Sequence, residues 1–310
     1  MNKVEFTYDS RDGKSVIHAV KWIPDGEPRA IFQIIHGMAE YIDRYSDFAG
    51  YLCEKGYLVT GDDHLGHGKT AAANNAKKGY ICERHGDTVM VRDVHRLKKI
   101  IQGEYPGVPY FILGHSMGSF MVRNYMYRYG TGIDGAIVMG TGHQSRGLLR
   151  VSRSIAAIQG FILGDDHVSG LINALAFGSY NKRIPKAKSH FDWITRDEKI
   201  LDKYIADPDC GFTFTVNGFK CLFKLLWKLT DDENIEQMPV DLPVLIVSGA
   251  EDPVGAYGVQ VRQVYDSYIA LGMKDVKMQL YPDDRHELLN ELDREQVYKD
   301  VYEWVEKHLA

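Results

Sequence analysis

Apolar residues follow two rhythms along this chain. Near the N-terminus, β-type stretches at Val4 to Tyr8 and Val16 to Trp22 flank the turn-rich Asp9-Ser10-Arg11-Asp12-Gly13-Lys14, which predicts a hairpin. Beyond it, short apolar runs at Ala30 to Ile35, Tyr57 to Thr60, Tyr110 to Leu113, Gly135 to Met139 and Pro243 to Val247 are bounded by glycine or proline and alternate with helical stretches. Such runs need cover on both faces, so the alternation predicts a parallel sheet between two helical layers. One covering helix is expected over about Thr88 to Gln102, where Met90, Val94, Leu97 and Ile101 recur at helical spacing while Arg92, Lys98 and Lys99 fall elsewhere. Another closes the chain, with Val297, Val301, Trp304 and Val305 on one stripe.

From about His143 to Met238 the alternation stops. This stretch has several apolar helical segments but no convincing buried strand, and it reads as an insertion. The chain thus divides into a core, residues 1–142 and 239–310, and a helical cap, residues 143–238. In the cap, Phe219, Leu222, Phe223 and Leu226 share one helical face while Lys220, Lys224 and Lys228 share another. Such a basic amphipathic helix suits packing on the body, a lid that lines an acyl pocket or touches a membrane, or both at once.

Composition narrows the class. The chain has 310 residues, 45% hydrophobic and 25% charged, as expected of a globular α/β protein. Its formal net charge of -5 provides no basic footprint for nucleic acid. No run of 18 apolar residues occurs, and the first residues lack a signal-peptide core, so a soluble cytoplasmic protein is expected. Cys53, Cys82, Cys210 and Cys221 lack CxxC spacing and are expected to be free thiols.

The chemistry centres on Phe111-Ile112-Leu113-Gly114-His115-Ser116-Met117-Gly118-Ser119, an apolar run feeding a Gly-x-Ser-x-Gly turn into a helical stretch. This is the pattern of a nucleophile elbow, which exposes a serine oxygen at the C-terminal end of a strand. A serine hydroxyl is a poor nucleophile until a base and an orienting acid serve it, and in hydrolases of this pattern those follow in the order acid, then histidine. Asp252 lies just past the apolar run Leu245-Ile246-Val247, with Glu251 as its neighbour and competitor; the following Pro253 favours Asp252. Of the twelve histidines, His286 alone combines the required order with a loop after a further strand, Val276 to Tyr281. An oxyanion would need backbone donors, for which Met117 N–H and Met38 N–H, after Ile34-Ile35-His36-Gly37, are the candidates.

Taken together, His36-Gly37-Met38-Ala39-Glu40, Asp63-His64-Leu65-Gly66-His67-Gly68, Gly114-His115-Ser116-Met117-Gly118, Glu251-Asp252-Pro253-Val254 and Arg285-His286-Glu287 resemble the monoglyceride lipase and lysophospholipase branch of the α/β-hydrolases, a group also classed with serine aminopeptidases. Phe191 to Asp197 and Asp207 to Phe212 are similar to bacterial members of that branch. The chain departs from the pattern at Met38, Ala39 and Tyr41, where monoglyceride lipases commonly carry a small residue, glycine and histidine. The resemblance implies an α/β-hydrolase fold, with a mostly parallel eight-stranded sheet and an inserted cap. It also implies a cofactor-free, metal-free serine ester hydrolase acting on a small lipid with a single acyl chain.

Other readings of the same residues are weaker. Gly66-His67-Gly68-Lys69-Thr70 resembles a phosphate loop, but Asp63 stands where the first glycine of that motif belongs, and a carboxylate there repels phosphate. Asp62, Asp63, His64 and His67 are metal-ligand types on a glycine-rich loop, where internal hydrogen bonding is the simpler expectation. A non-catalytic binding protein on this fold would usually lack a triad member. An aminopeptidase or acyltransferase of the same fold is the rival within enzymes, and a peptidase would need acidic cap residues, such as Asp165, Asp166 or Glu198, at the site.

Overall fold

A computed structural model describes residues 1–309 of the chain. Eight strands form one sheet in the order β1-β2-β4-β3-β5-β6-β7-β8. The hairpin of β1 (Asn2–Asp9) and β2 (Val16–Ile23) lies at one edge, and β2 joins β4 (Tyr57–Asp62) antiparallel. The other pairings, through β3 (Ala30–Ile35), β5 (Tyr110–His115), β6 (Gly135–Met139), β7 (Val244–Gly249) and β8 (Val276–Tyr281), are parallel.

Strands β3 to β7 are buried at every position because helices cover both faces of the sheet. Alternate residues serve opposite layers. In β5, Tyr110 and Ile112 pack towards α3 (Gly86–Glu104) and α4 (Met117–Tyr129), while Phe111 and Leu113 pack towards α1 (Ser46–Glu54) and α11 (Arg294–Glu306). Helix α10 (Val259–Leu271) joins the first layer, and the short α2 (Gly68–Ala73) follows β4. The α/β-hydrolase fold expected from the sequence is the fold observed.

Between β6 and β7 the chain forms α5 (Arg146–Leu163), α6 (Gly170–Phe177), α7 (Glu198–Ala206), α8 (Val216–Lys228) and the single turn α9 (Asp232–Ile235). This insert adds no strand to the sheet, and its only β pairing is one bridge between Val168 and Thr215. Helix α8 is its inner layer: Phe219, Leu222, Phe223 and Leu226 are buried, and the helix packs on α3, α4 and α5. Two of its three lysines are paired, Lys220 with Asp165 and Lys228 with Asp87, and Lys224 is exposed. Burial of its apolar face assigns this helix to packing on the body. Exposed apolar residues lie instead on α5 and α6, where Ile158, Phe161, Ile162, Leu171 and Leu175 face outward and Phe161 is 93% exposed. None of the described helices is long and apolar enough to cross a membrane.

Candidate active site

Strand β5 ends at His115 and α4 begins at Met117, so Ser116 alone makes the turn. It does so with φ 54° and ψ -118°, a conformation costly for any residue with a Cβ. The neighbouring glycines make the turn sterically feasible. A Cβ on Gly114 would run into the Gly118 carbonyl, and one on Gly118 into the carbonyl oxygen of Ile35 at the end of β3. The elbow is further pinned by Ser116 N–H donating to Met139 O at 3.0 Å and Ser119 Oγ donating to Ser116 O at 2.6 Å. It leaves the serine at the N-terminus of α4, where the helix dipole favours negative charge.

The loops after β7 and β8 bring Asp252 and His286 together. His286 Nδ1 donates to Asp252 Oδ2 at 2.9 Å, and Val254 N–H (2.8 Å) and Ser248 Oγ (3.2 Å) also donate to the Asp252 carboxylate. Asp252 is fully buried whereas Glu251 is exposed, so burial and partners both select Asp252 over its neighbour. With Nδ1 donating, the lone pair of neutral His286 sits on Nε2. No hydrogen bond joins Nε2 to the Ser116 hydroxyl among the described residues, a looseness common in free enzymes.

Two backbone donors stand unengaged beside the serine. Neither Met38 N–H nor Met117 N–H has an acceptor among the described residues, although Met117 is buried and Met38 half-buried. Gly37 lets the loop before Met38 approach the serine closely, because a Cβ there would lie 3.1 Å from Ser116 Cβ and 2.6 Å from Glu40 Oε1. Orphan donors in such a place suit an oxygen that acquires charge.

Beneath these groups runs a buried polar network to which sequence reasoning assigned no role. Glu40 accepts from Gly37 N–H (2.6 Å), Tyr45 Oη (3.0 Å) and Arg44 (2.7 Å) and faces His115 Nδ1 at 3.0 Å. Arg44 grips Glu287 with two bonds of 2.7 and 2.6 Å, and His115 Nε2 lies 3.2 Å from His286 O. Glu40, His115 and Glu287 all stand inside the quoted motifs; what the sequence lacks is any sign of their distance in space.

The insert reaches this network. Trp193 lies 5.1 Å, ring to ring, from His286, Glu287 N–H donates to Ile194 O at 2.8 Å, and Gly211 N–H donates to Ala39 O at 2.9 Å. Arg285 donates to the carbonyls of Asp192 (2.7 Å) and Thr195 (3.0 Å), and Arg196 enters a cluster of Asp284, Glu291 and Asp293. In that cluster, burial first, then the proximity of Asp293 and Glu291, pushes the Asp284 carboxyl up to about 8.

The glycine-rich loop after β4 has structural work. Asp63 accepts from the N–H groups of Ile42 and Lys69, both at 2.9 Å, and Tyr8 Oη donates to Asp62. His64 stacks on His36 at 3.9 Å, and burial lowers the pKa of His67 to about 4. These four side chains do not converge on one point. Among the described residues, the acidic groups that do are Asp284, Glu291 and Asp293, with the Arg196 guanidinium already among them.

Residues 26–293 match the family model described as serine aminopeptidase, S33. The chain belongs to that family. Among its relatives, a monoacylglycerol lipase of Mycolicibacterium smegmatis is 26% identical over 98% of both chains, and the mouse monoglyceride lipase is 25% identical over 93% of this chain and 86% of its own. A thermostable carboxyl esterase of Bacillus coagulans, solved in complex with glycerol, superimposes over the full length of both chains with a TM-score of 0.92 and 30% identity. The S33 protein described here is accordingly a hydrolase.

Proposed function

We propose that the protein is a serine carboxylic-ester hydrolase that releases a fatty acid from a single-chain lipid, a monoacylglycerol or lysophospholipid. The observation that carries this reading is the convergence of a strained elbow serine, a His–Asp pair at 2.9 Å and two unengaged amide donors. In this mechanism Ser116 attacks the ester carbonyl as His286 Nε2 takes its proton. Asp252 holds the imidazole and stabilises its charged form, while the Met38 and Met117 amides receive the oxyanion. The imidazolium then protonates the departing alcohol. Water, activated by the same histidine, releases the acid from the acyl-enzyme. The residues involved need no cofactor for these steps.

The insert supports a lipid ester over a peptide. Asp165, Asp166 and Glu198, the acids that could have met a substrate amine, each pair with a lysine at the surface: Lys220, Lys77 and Lys188. In this reading the insert is the cap that shapes the acyl site, and the apolar face of α5 and α6 makes transient contact with lipid surfaces. Relatives named for monoacylglycerol hydrolysis, and an esterase solved with glycerol, favour glycerol as the alcohol half. A side-by-side assay of monoacylglycerols, lysophospholipids and aminoacyl amides tests the proposal. Turnover of the lipid esters is expected; equal turnover of aminoacyl amides would overturn it.

A further inference from the structure

Both ring nitrogens of His115 meet only acceptors. Nδ1 lies 3.0 Å from Glu40 Oε1, and Nε2 lies 3.2 Å from the carbonyl oxygen of His286. A neutral imidazole carries one N–H, so either neutral tautomer would aim a lone pair at an oxygen. Only the imidazolium donates in both directions.

Charge balance leads to the same protonation state. Glu40, Glu287 and Arg44 form one buried cluster with His115, so a neutral ring would leave two carboxylates facing a single guanidinium. An uncompensated buried charge is costly, and a protonated His115 removes it. The other facing groups add no charge that alters the count. Tyr45 Oη donates to Glu40, His36 is buried and held well below the usual histidine range, first by burial, and the His286 ring lies 4.7 Å from that of His115. Burial opposes the charged form of His115, but the hydrogen bond and charge of Glu40 outweigh it and raise its pKa.

We propose that His115 is a positioning residue, a buried imidazolium that clamps the loop carrying Met38 N–H to the loop carrying His286. One arm holds Glu40, whose Oε1 also accepts Gly37 N–H, one residue before Met38. The other holds the His286 carbonyl, and the chain continues from His115 directly into Ser116. One ring that touches no reacting atom thus sets the spacing of nucleophile, base and oxyanion donor. The inference rests on the roles proposed above for those three groups.

Nitrogen-15 NMR of the histidine-labelled wild-type protein, with His115 assigned through His115→Gln, tests the protonation state directly. The expected spectrum shows both His115 ring nitrogens protonated at about pH 7.5, above the ordinary histidine pKa. One protonated and one bare nitrogen would overturn the proposal. In kinetics, His115→Gln should lower kcat by about 10- to 100-fold with KM little changed, the size expected of small misplacements at a reacting centre. Unchanged kcat in folded variant protein would also overturn it. Glu40→Gln should let His115 lose its proton at a lower pH than in the wild type, so the alkaline fall in activity begins at lower pH in the variant. If wild-type protein hydrolyses no ester, the functional reading fails while the NMR result on His115 still stands.

Discussion

The buried network beneath the candidate site, its floor, and the insert proposed as its cap, the roof, are finished to different degrees. In the floor, Glu40, Arg44, His115 and Glu287 are tied to one another and to three loops, and the proposed reacting groups Ser116, Asp252 and His286 sit on the turn or loops that follow β5, β7 and β8. In the roof, the apolar face of α8 is buried, yet α5 and α6, in the same insert, present Ile158, Phe161, Ile162 and Leu175 to solvent. A buried, mutually satisfied polar cluster fixes geometry, whereas exposed apolar side chains are free to meet something apolar. In the proposed reading, chemistry belongs to the mutually satisfied network and encounter with substrate to the exposed apolar residues of α5 and α6.

Substitutions can break this division. The largest effect is expected in the floor: Asp252→Asn should lower kcat by about 10⁴-fold for soluble and aggregated esters alike, because the histidine loses the acceptor that sets its tautomer. A loss confined to aggregated substrate, in steady-state assays of both forms, would contradict the division. Next comes the inner roof, where Leu225→Ala should destabilise the fold by about 2–5 kcal/mol in denaturant unfolding, since Leu225 is fully buried. On the outer roof, Phe161→Ser should leave stability within about 0.5 kcal/mol and spare soluble short-chain esters. The same variant should reduce turnover of vesicle-borne monoacylglycerol several-fold. Equal losses on both substrates would show that α5 serves the floor.

The smallest effect concerns the seam between the two regions. Asp284 is raised to about 8 by burial and by its neighbours Asp293 and Glu291, with Arg196 as the opposing cation. A carboxyl raised in the folded state adds stability that is complete below its unfolded value, about 4, and is lost as pH rises through about 8. Asp284→Asn should therefore flatten the decline of the melting temperature between those pH values, measured by calorimetry. An unchanged pH profile would remove Asp284 from the seam's titration.

Local signals carried much of the architecture. Apolar runs bounded by glycine or proline marked the strands because a doubly covered strand must be apolar throughout, and the candidates Ser116 and Asp252 stood out because each follows such a run, whereas His286 follows the alternating edge strand β8 and stood out by chain order. The floor was not legible: Glu40 and His115 are 75 positions apart in sequence, and His115 and His286 are 171 apart, so only the folded sheet brings them into contact. Nor could the fates of α5 and α8 be separated from sequence. Both alternate apolar and polar faces, and amphipathicity records that one side is apolar without recording what covers it.

Intact-protein mass spectrometry during turnover of a p-nitrophenyl acyl ester tests the central claim most directly. Rapid quenching should trap a single acyl group, and peptide mapping should place it on Ser116. Both the adduct and hydrolysis should vanish in Ser116→Ala, with the fold intact by circular dichroism. Sustained hydrolysis by that variant, or an acyl group on any other residue, would contradict the account.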